Sequence, residues 1–296
     1  MALSTPTAGP RLTGGPGYRR RRLVNRLVEG VSTLAAVVAI AVLALVIASV
    51  LVKSVPAINL DFLTHNPAPF GQTGGGIANA IVGSAILIGI ASVIAIPIGI
   101  LVAIYTSEFA SLGVSSAIRF VLDILNGVPT IITGIFIYGL LVIGNTQSGW
   151  AGAIALAIVQ LPIVARSAQE VLSLVPRSLH EAGLALGLRR WRIVLRIILP
   201  TARGGLVTGA VLGVARVAGE TAPLLFTSSI FSTFLTTNPS QALPNIPVDI
   251  FTLSESPSPQ DHAQAWAAAL VLIAFVLVVS VVARAFNERS RRKLGG

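Results

Sequence analysis

The sequence predicts an all-α, polytopic membrane protein with six membrane-spanning helices. Three observations predict it. Of 296 residues, 54% are hydrophobic and only 11% are charged, whereas soluble domains carry about a quarter charged residues. Six apolar runs, at about 31–52, 78–104, 120–143, 150–170, 204–227 and 264–285, match the ~20 residues that a helix needs to cross a bilayer. The formal charge of +10 is spread unevenly around those runs. With the N-terminus in the cytoplasm, the exterior segments 53–77, 144–149 and 228–263 hold one basic residue, Lys53. The opposite side receives nearly all the arginines, including Arg166, Arg177, Arg189, Arg190, Arg192, Arg196 and Arg203. This positive-inside bias predicts that both termini are cytoplasmic and that the chain is multi-pass in the cell (plasma or inner) membrane. Topology thus accounts for the net charge, and no nucleic-acid partner is needed.

Residues 1–30 are expected to be a disordered, basic cytoplasmic segment. Gly, Pro, Thr and Ala crowd its start, and Arg19–Arg22 and Arg26 lie close enough to the bilayer to meet anionic headgroups. The run 31–52 is longer than a 7–15-residue signal core and is predicted to be a retained first anchor helix. The stretch "PAPFGQTGGG" in 53–77 is a loop. Pro97, Pro129, Pro162 and Pro223 fall inside predicted spans, where each bends a helix and frees a carbonyl that a neighbour must satisfy. Four such spans fit a channel- or transporter-like bundle better than a simple anchor. Gly205, Gly209 and Gly213 recur every four residues in "GGLVTGAVLGVARVAG", a small-residue stripe that lets another helix approach closely. Segment 228–263 carries Asp249, Glu255 and Asp261, no basic residue and several prolines, and is expected to be an ordered surface loop with a short helix or re-entrant turn. Residues 286–296 form a basic cytoplasmic tail. The chain has no cysteine, so disulfides and thiolate chemistry are excluded. His65, His180 and His262 share no metal-ligand spacing, and no metal or cofactor is predicted.

The loop "LVPRSLHEAGLALGLRRWRIVLRIILP", Leu174–Pro200, is too long for a plain connection. Leu179, Ala182, Leu186 and Trp191 form an apolar pattern between arginines, which fits an interfacial helix on the membrane as well as a helix docked in a partner. Glu181-Ala182-Gly183, three residues, Gly187, nine residues, Ile197, one residue and Leu199-Pro200 resemble the EAA loop of ABC-importer permeases. Gly183 stands where that pattern has a second alanine, a small-for-small change. "ARVAGETAPLLFT" (215–227), "LPIVARSAQEVLSLVP" (161–176), "NIPVDIF" (245–251) and "AWAAALVLI" (265–273) are similar to the permeases of phosphate ABC importers. The resemblance implies a type I ABC importer permease domain over 78–285, with 174–200 as coupling loop. It further implies a homologous second permease subunit, an ATP-binding subunit dimer docked on 174–192, and an extracytoplasmic phosphate-binding protein on segments such as 228–263. The substrate would be inorganic phosphate. No G-x-x-x-x-G-K-[ST] motif occurs, since the lysines are Lys53 and Lys293, so ATP hydrolysis is expected from another polypeptide and the chain is not an enzyme. Small Ala182 and Gly183 suit close approach to the ATP-binding subunit, and Gly187 suits a sharp turn. A permease for sulfate or molybdate, and an autonomous anion channel or secondary transporter, remain as rival readings.

Two charge pairs stand out. Arg216 and Glu220 lie four residues apart near the middle of an apolar run. A central arginine costs ~2.5–3.5 kcal/mol against lipid, so it faces protein, water or a pathway. One reading is mutual neutralisation that pins helix packing. The other is an oxyanion contact whose field the carboxylate moderates. Arg166 and Glu170 repeat the spacing near the cytoplasmic end, where Arg166 also fits a positive-inside anchor.

Overall fold

The computed structural model describes residues 17–69, 74–229 and 232–292 of the 296. By contact density the chain divides into residues 1–52 and 53–296. The first part is dominated by α1 (Gly17–Ser54). This helix starts at Gly17 rather than at the apolar boundary near 31, so Arg19–Arg26 belong to its first turns and not to a disordered segment. Arginine and leucine are good helix formers, and hydrophobicity marks where a helix enters lipid rather than where it begins. The expected disorder of residues 1–16 lies outside the described residues.

The second part is a helical bundle. A short α2 (Leu60–Thr64), capped by Asn59, precedes α3 (Ala78–Ile104), which runs into a π-helical turn, Tyr105–Phe109. Then come α4 (Leu112–Gly127), α5 (Thr130–Ile137) with a second π turn at Tyr138–Val142, and α6 (Gly149–Ser173). The 174–200 loop forms α7 (Arg177–Ala185) and α8 (Arg190–Ile193), and a third π turn, Val194–Ile198, leads into α9 (Leu199–Ala218). The chain ends with α10 (Ala222–Thr227), α11 (Ile246–Ser254) and α12 (Pro259–Arg292). Among the described residues, five helices are long and apolar enough to cross a membrane: Arg20–Ser54, Ala78–Phe109, Gly149–Ser173, Arg190–Ala218 and Pro259–Ala285. The sixth apolar segment is α4 with α5, bent by 94°.

That bend revises the third predicted span. Pro129 has no N–H and forces Val128 out of the helical region, to φ −70° and ψ 127°. Gly127 just before it is a poor helix former. Pro97 and Pro162, by contrast, stay inside unbroken helices. The fifth predicted span, 204–227, is also divided. A proline ring clashes with the carbonyl four residues earlier, so Pro223 ends α9 around Gly219 and instead opens α10.

The core begins where α3, α6 and α9 meet: Leu87, Ala91 and Ala95 pack with Ala153, Leu156, Ala157 and Val217, and with Leu224 of α10. Along α9 the three stripe glycines face one ridge of α6. A Cβ on Gly205 would strike Val171, on Gly209 the Ser167 hydroxyl, and on Gly213 Val164 Cγ2 at 2.8 Å. At the end of the bundle that carries the 174–200 loop, Ala103, Ala168 and Leu172 pack against Ile193, Val194, Ile198 and Ala202. At the other end, the segment expected as a surface loop is folded into the bundle. Ser84 Oγ accepts the Ile246 N–H at 2.9 Å, Asn245 caps α11 by accepting from Val248, and Asn245 Nδ2 donates to Ser228 O at 3.0 Å. These bonds satisfy the backbone N–H groups that open α11, so the buried start of the helix leaves none of them orphaned.

Candidate functional site: a cavity at the two helix breaks

Both helix breaks border one cavity of about 800 Å³. The α4–α5 break contributes Asn126, Val128, Pro129 and Thr130, and α5 adds Thr133; α9 contributes Leu212 and Arg216, and α10 contributes Ala222. Most of the wall is apolar, from Leu125, Ile131, Ile158, Val159 and Ile163. The residue that opens α5, Pro129, has no side-chain acceptor to cap the N–H groups of the first turn. Such a turn carries partial positive charge.

Arg216 lies in the last turn of α9, with its side chain 57% exposed. Glu220 sits in the break after that helix and is 7% exposed, with Arg216 as its ion-pair partner. The pair spans the end of α9 rather than one continuous helix. The contact lacks hydrogen-bond alignment, and the buried Glu220 Oε1 has no hydrogen-bond donor. The cavity thus displays a guanidinium whose countercharge is held inside the protein.

The structure separates Arg166 from Glu170. Arg166 Nε donates to Asp123 Oδ1 of α4 at 2.8 Å, Nη2 reaches the same carboxylate, and Nη1 lies 3.4 Å from Gln169 Oε1. Glu170 is exposed and makes no ion pair among the described residues. Local spacing could not reveal Asp123, which is 43 positions away. Asn126, Thr130 and Thr133 were likewise passed over, although polar residues beside the N-G-V-P turn carry a signal.

In the 174–200 loop, Glu181 and Ala182 are exposed on α7 while Gly183 is buried. A Cβ on Gly183 would come within 2.8 Å of Ile193 Cγ1, so the α7–α8 packing itself favours glycine where the resembling pattern has alanine. Gly187 has φ +74° in open surroundings, a conformation that side chains resist. Leu184, Leu186 and Trp191 are exposed apolar side chains around it.

A helical bundle with spans of membrane-crossing length, and two broken helices at one cavity, is the architecture of a polytopic membrane component. Residues 95–292 match the family of binding-protein-dependent transport system inner membrane components, and the chain belongs to that family. Its relatives include the phosphate transport system permease protein PstA of Haemophilus influenzae, 37% identical over 274 residues that cover 92% of this chain and 96% of the relative. PstA of Yersinia pestis is 40% identical over 273 residues, 92% of each chain. The probable PstA of Methanocaldococcus jannaschii is 39% identical over 240 residues, 81% of this chain and 85% of the relative. Among solved structures, a chain of a bacterial alginate ABC transporter in complex with alginate pentasaccharide-bound periplasmic protein aligns with TM-score 0.66 at 15% identity, over 91% of this chain and 96% of that one. A chain of the inward-facing MetNI methionine ABC transporter aligns with TM-score 0.55 at 18% identity, over 73% and 94%. These two share the fold. The chain is a multi-pass component of the inner (plasma) membrane.

Proposed function

We propose that the chain is a permease subunit of an ATP-driven phosphate importer, forming half of the translocation pathway. The observation that carries this is the half-exposed Arg216 in the cavity at the helix breaks, with buried Glu220 beside it. Relatives that match nine-tenths of the chain and bear a phosphate permease name support the substrate. Phosphate gives up tightly held water only to strong donors. Arginine offers two parallel N–H groups that bind two phosphate oxygens at once, and it remains protonated. Glu220 weakens the field of Arg216 so that an anion can leave as well as enter. Phosphate retains a proton near neutral pH and sulfate does not. An acceptor on the cavity wall can take a hydrogen bond from the first and none from the second. Asn126, Thr130 and Thr133 add neutral hydrogen-bonding groups to the same wall.

In this reading α7 is the coupling helix. Glu181, Ala182, Gly183 and Gly187 serve the docking of a separate ATP-binding subunit dimer, which hydrolyses ATP. Both termini and the 174–200 loop are cytoplasmic. A second, homologous permease subunit completes the pathway, and a phosphate-binding protein docks at the opposite end.

Radiolabelled phosphate uptake tests the proposal, in cells that lack other high-affinity uptake and carry or lack this chain together with its partner subunits. Uptake should depend on the chain and resist competition by excess sulfate. Chain-dependent uptake of sulfate or molybdate in place of phosphate would overturn the substrate. Uptake that persists without any ATP-binding subunit would turn the reading to a channel or secondary transporter.

A further inference from the structure

Helix α7 meets the bundle through a contact that neither the cavity nor the loop motif uses. His180 Nε2 lies 2.7 Å from Glu108 Oε2, across 72 positions of sequence. Glu108 is 12% exposed and His180 31%. The other ring nitrogen, His180 Nδ1, is buried and has no hydrogen-bond partner. Among the described residues, Glu108 is therefore the one polar group that holds the imidazole.

Glu108 belongs to the π turn Tyr105–Phe109. A π turn inserts an extra residue into the helical ladder and is found frequently at functional sites. This one is bound on two further sides. Ser115 Oγ of α4 donates to Thr106 O at 3.0 Å, and Gln169 Nε2 of α6 donates to Thr106 Oγ1 at 2.8 Å. Thr106 and Gln169 are buried. From Ser115, α4 runs without interruption to Gly127 and the break at Val128–Pro129. Asp123, also on α4, is clasped by Arg166 of α6. The break lines the cavity that holds Arg216. Continuous contacts thus lead from α7 through the π turn and α4 to the wall of the cavity.

We propose that the His180–Glu108 contact is a positioning latch that carries displacement of α7 into the π turn and α4, and so moves the break at Val128–Pro129 around Arg216. The inference rests on the reading of α7 as the helix on which an ATP-binding subunit docks. A contact chain alone does not demonstrate coupling; a change at one end must be felt at the other.

The chain has no native cysteine, so Asn126→Cys reports on the cavity wall by its rate of reaction with a soluble thiol reagent. The intact importer is compared without nucleotide and with ATP trapped by blocked hydrolysis. With native His180 and Glu108, the rate should change about fivefold or more between the two states, the lower range of common coupling energies. His180→Leu or Glu108→Leu should remove most of that change, while the ATP-binding subunit still co-purifies. His180→Gln, whose amide nitrogen lies near the place of Nε2, should restore it. The double Leu variant should be no worse than either single one, because both remove the same contact. A full nucleotide response in His180→Leu would overturn the latch, as would no response with both residues native. Loss of the ATP-binding subunit from His180→Leu would also overturn it, since the contact would then serve docking. Phosphate uptake is measured in parallel with native Asn126. Failure of uptake beside an intact, His180-dependent response removes the phosphate reading and upholds the latch.

Discussion

Arg216 and Glu220 divide one ion pair unequally, the cation toward the cavity and the anion toward the interior. Removing only the cation leaves the buried carboxylate without its partner, which destabilises the fold. Arg216→Gln should therefore lower the membrane level of the chain as well as phosphate uptake. Adding Glu220→Gln should bring the level back. If the arginine touches the substrate, uptake in the double variant should stay at least about tenfold below wild type, the loss expected for one charged contact. Uptake near wild type would leave the pair a purely structural role. At the opposite end, burial pushes the Asp249 carboxyl from 3.8 up to about 7. The folded chain then holds a proton that the unfolded chain has lost, so stability falls as pH rises from about 4 to about 7 and stays low above that. Asp249→Asn should raise the midpoint of thermal aggregation at about pH 8 and give no advantage at about pH 4. An equal gain at both values would contradict the assignment.

At the scale of elements, the glycines make the clearest predictions. Gly209 sits against Ser167 where α9 crosses α6, so Gly209→Leu should force the two helices apart and reduce recovery of folded protein from the membrane. Gly139 has open space around it, and Gly139→Leu should be tolerated. Gly187→Val acts differently. Its neighbourhood is empty, but φ +74° costs a β-branched residue about 1–2 kcal/mol. Membrane level should hold, while recovery of the ATP-binding subunit and uptake both fall; normal values for both would remove Gly187 from the coupling role. The stripe was legible because its signal is local, one small residue per turn. The α4–α5 break was not, because Pro129 resembles Pro97 and Pro162 in sequence. The difference is that Gly127 and Val128 beside it leave the helix little to gain by continuing. The Asp123 partner of Arg166 was hidden for a related reason, since it is near in space and 43 positions away in sequence.

For the whole molecule, six apolar runs were enough to give the helical class, because hydropathy adds along a span without reference to partners. The helix count agrees once α4 and α5 are taken together. The ends of the helices were less legible, as α1 shows, because helix propensity and lipid solubility end at different residues. Sidedness is checked by labelling. Ser178→Cys in the α7 loop should react with an impermeant reagent only after the membrane is opened, and a cysteine at Ser240 should react in intact cells. The reverse pattern would invert the proposed topology.

The exposure of Arg216 also bears on how the cell counts its subunits. Arg216 lies more than half exposed at the end of an apolar helix. In an unassembled chain it would meet hydrocarbon, a penalty of ~2.5–3.5 kcal/mol. The residue proposed to receive the anion would then double as a degradation signal, displayed while the second permease is missing and masked on assembly. In pulse-chase, the chain made alone should turn over faster than the chain made with its partner. Replacing both Arg216 and Glu220 by glutamine should lengthen the lifetime of the orphan, so that surplus chain accumulates beyond the supply of its partner.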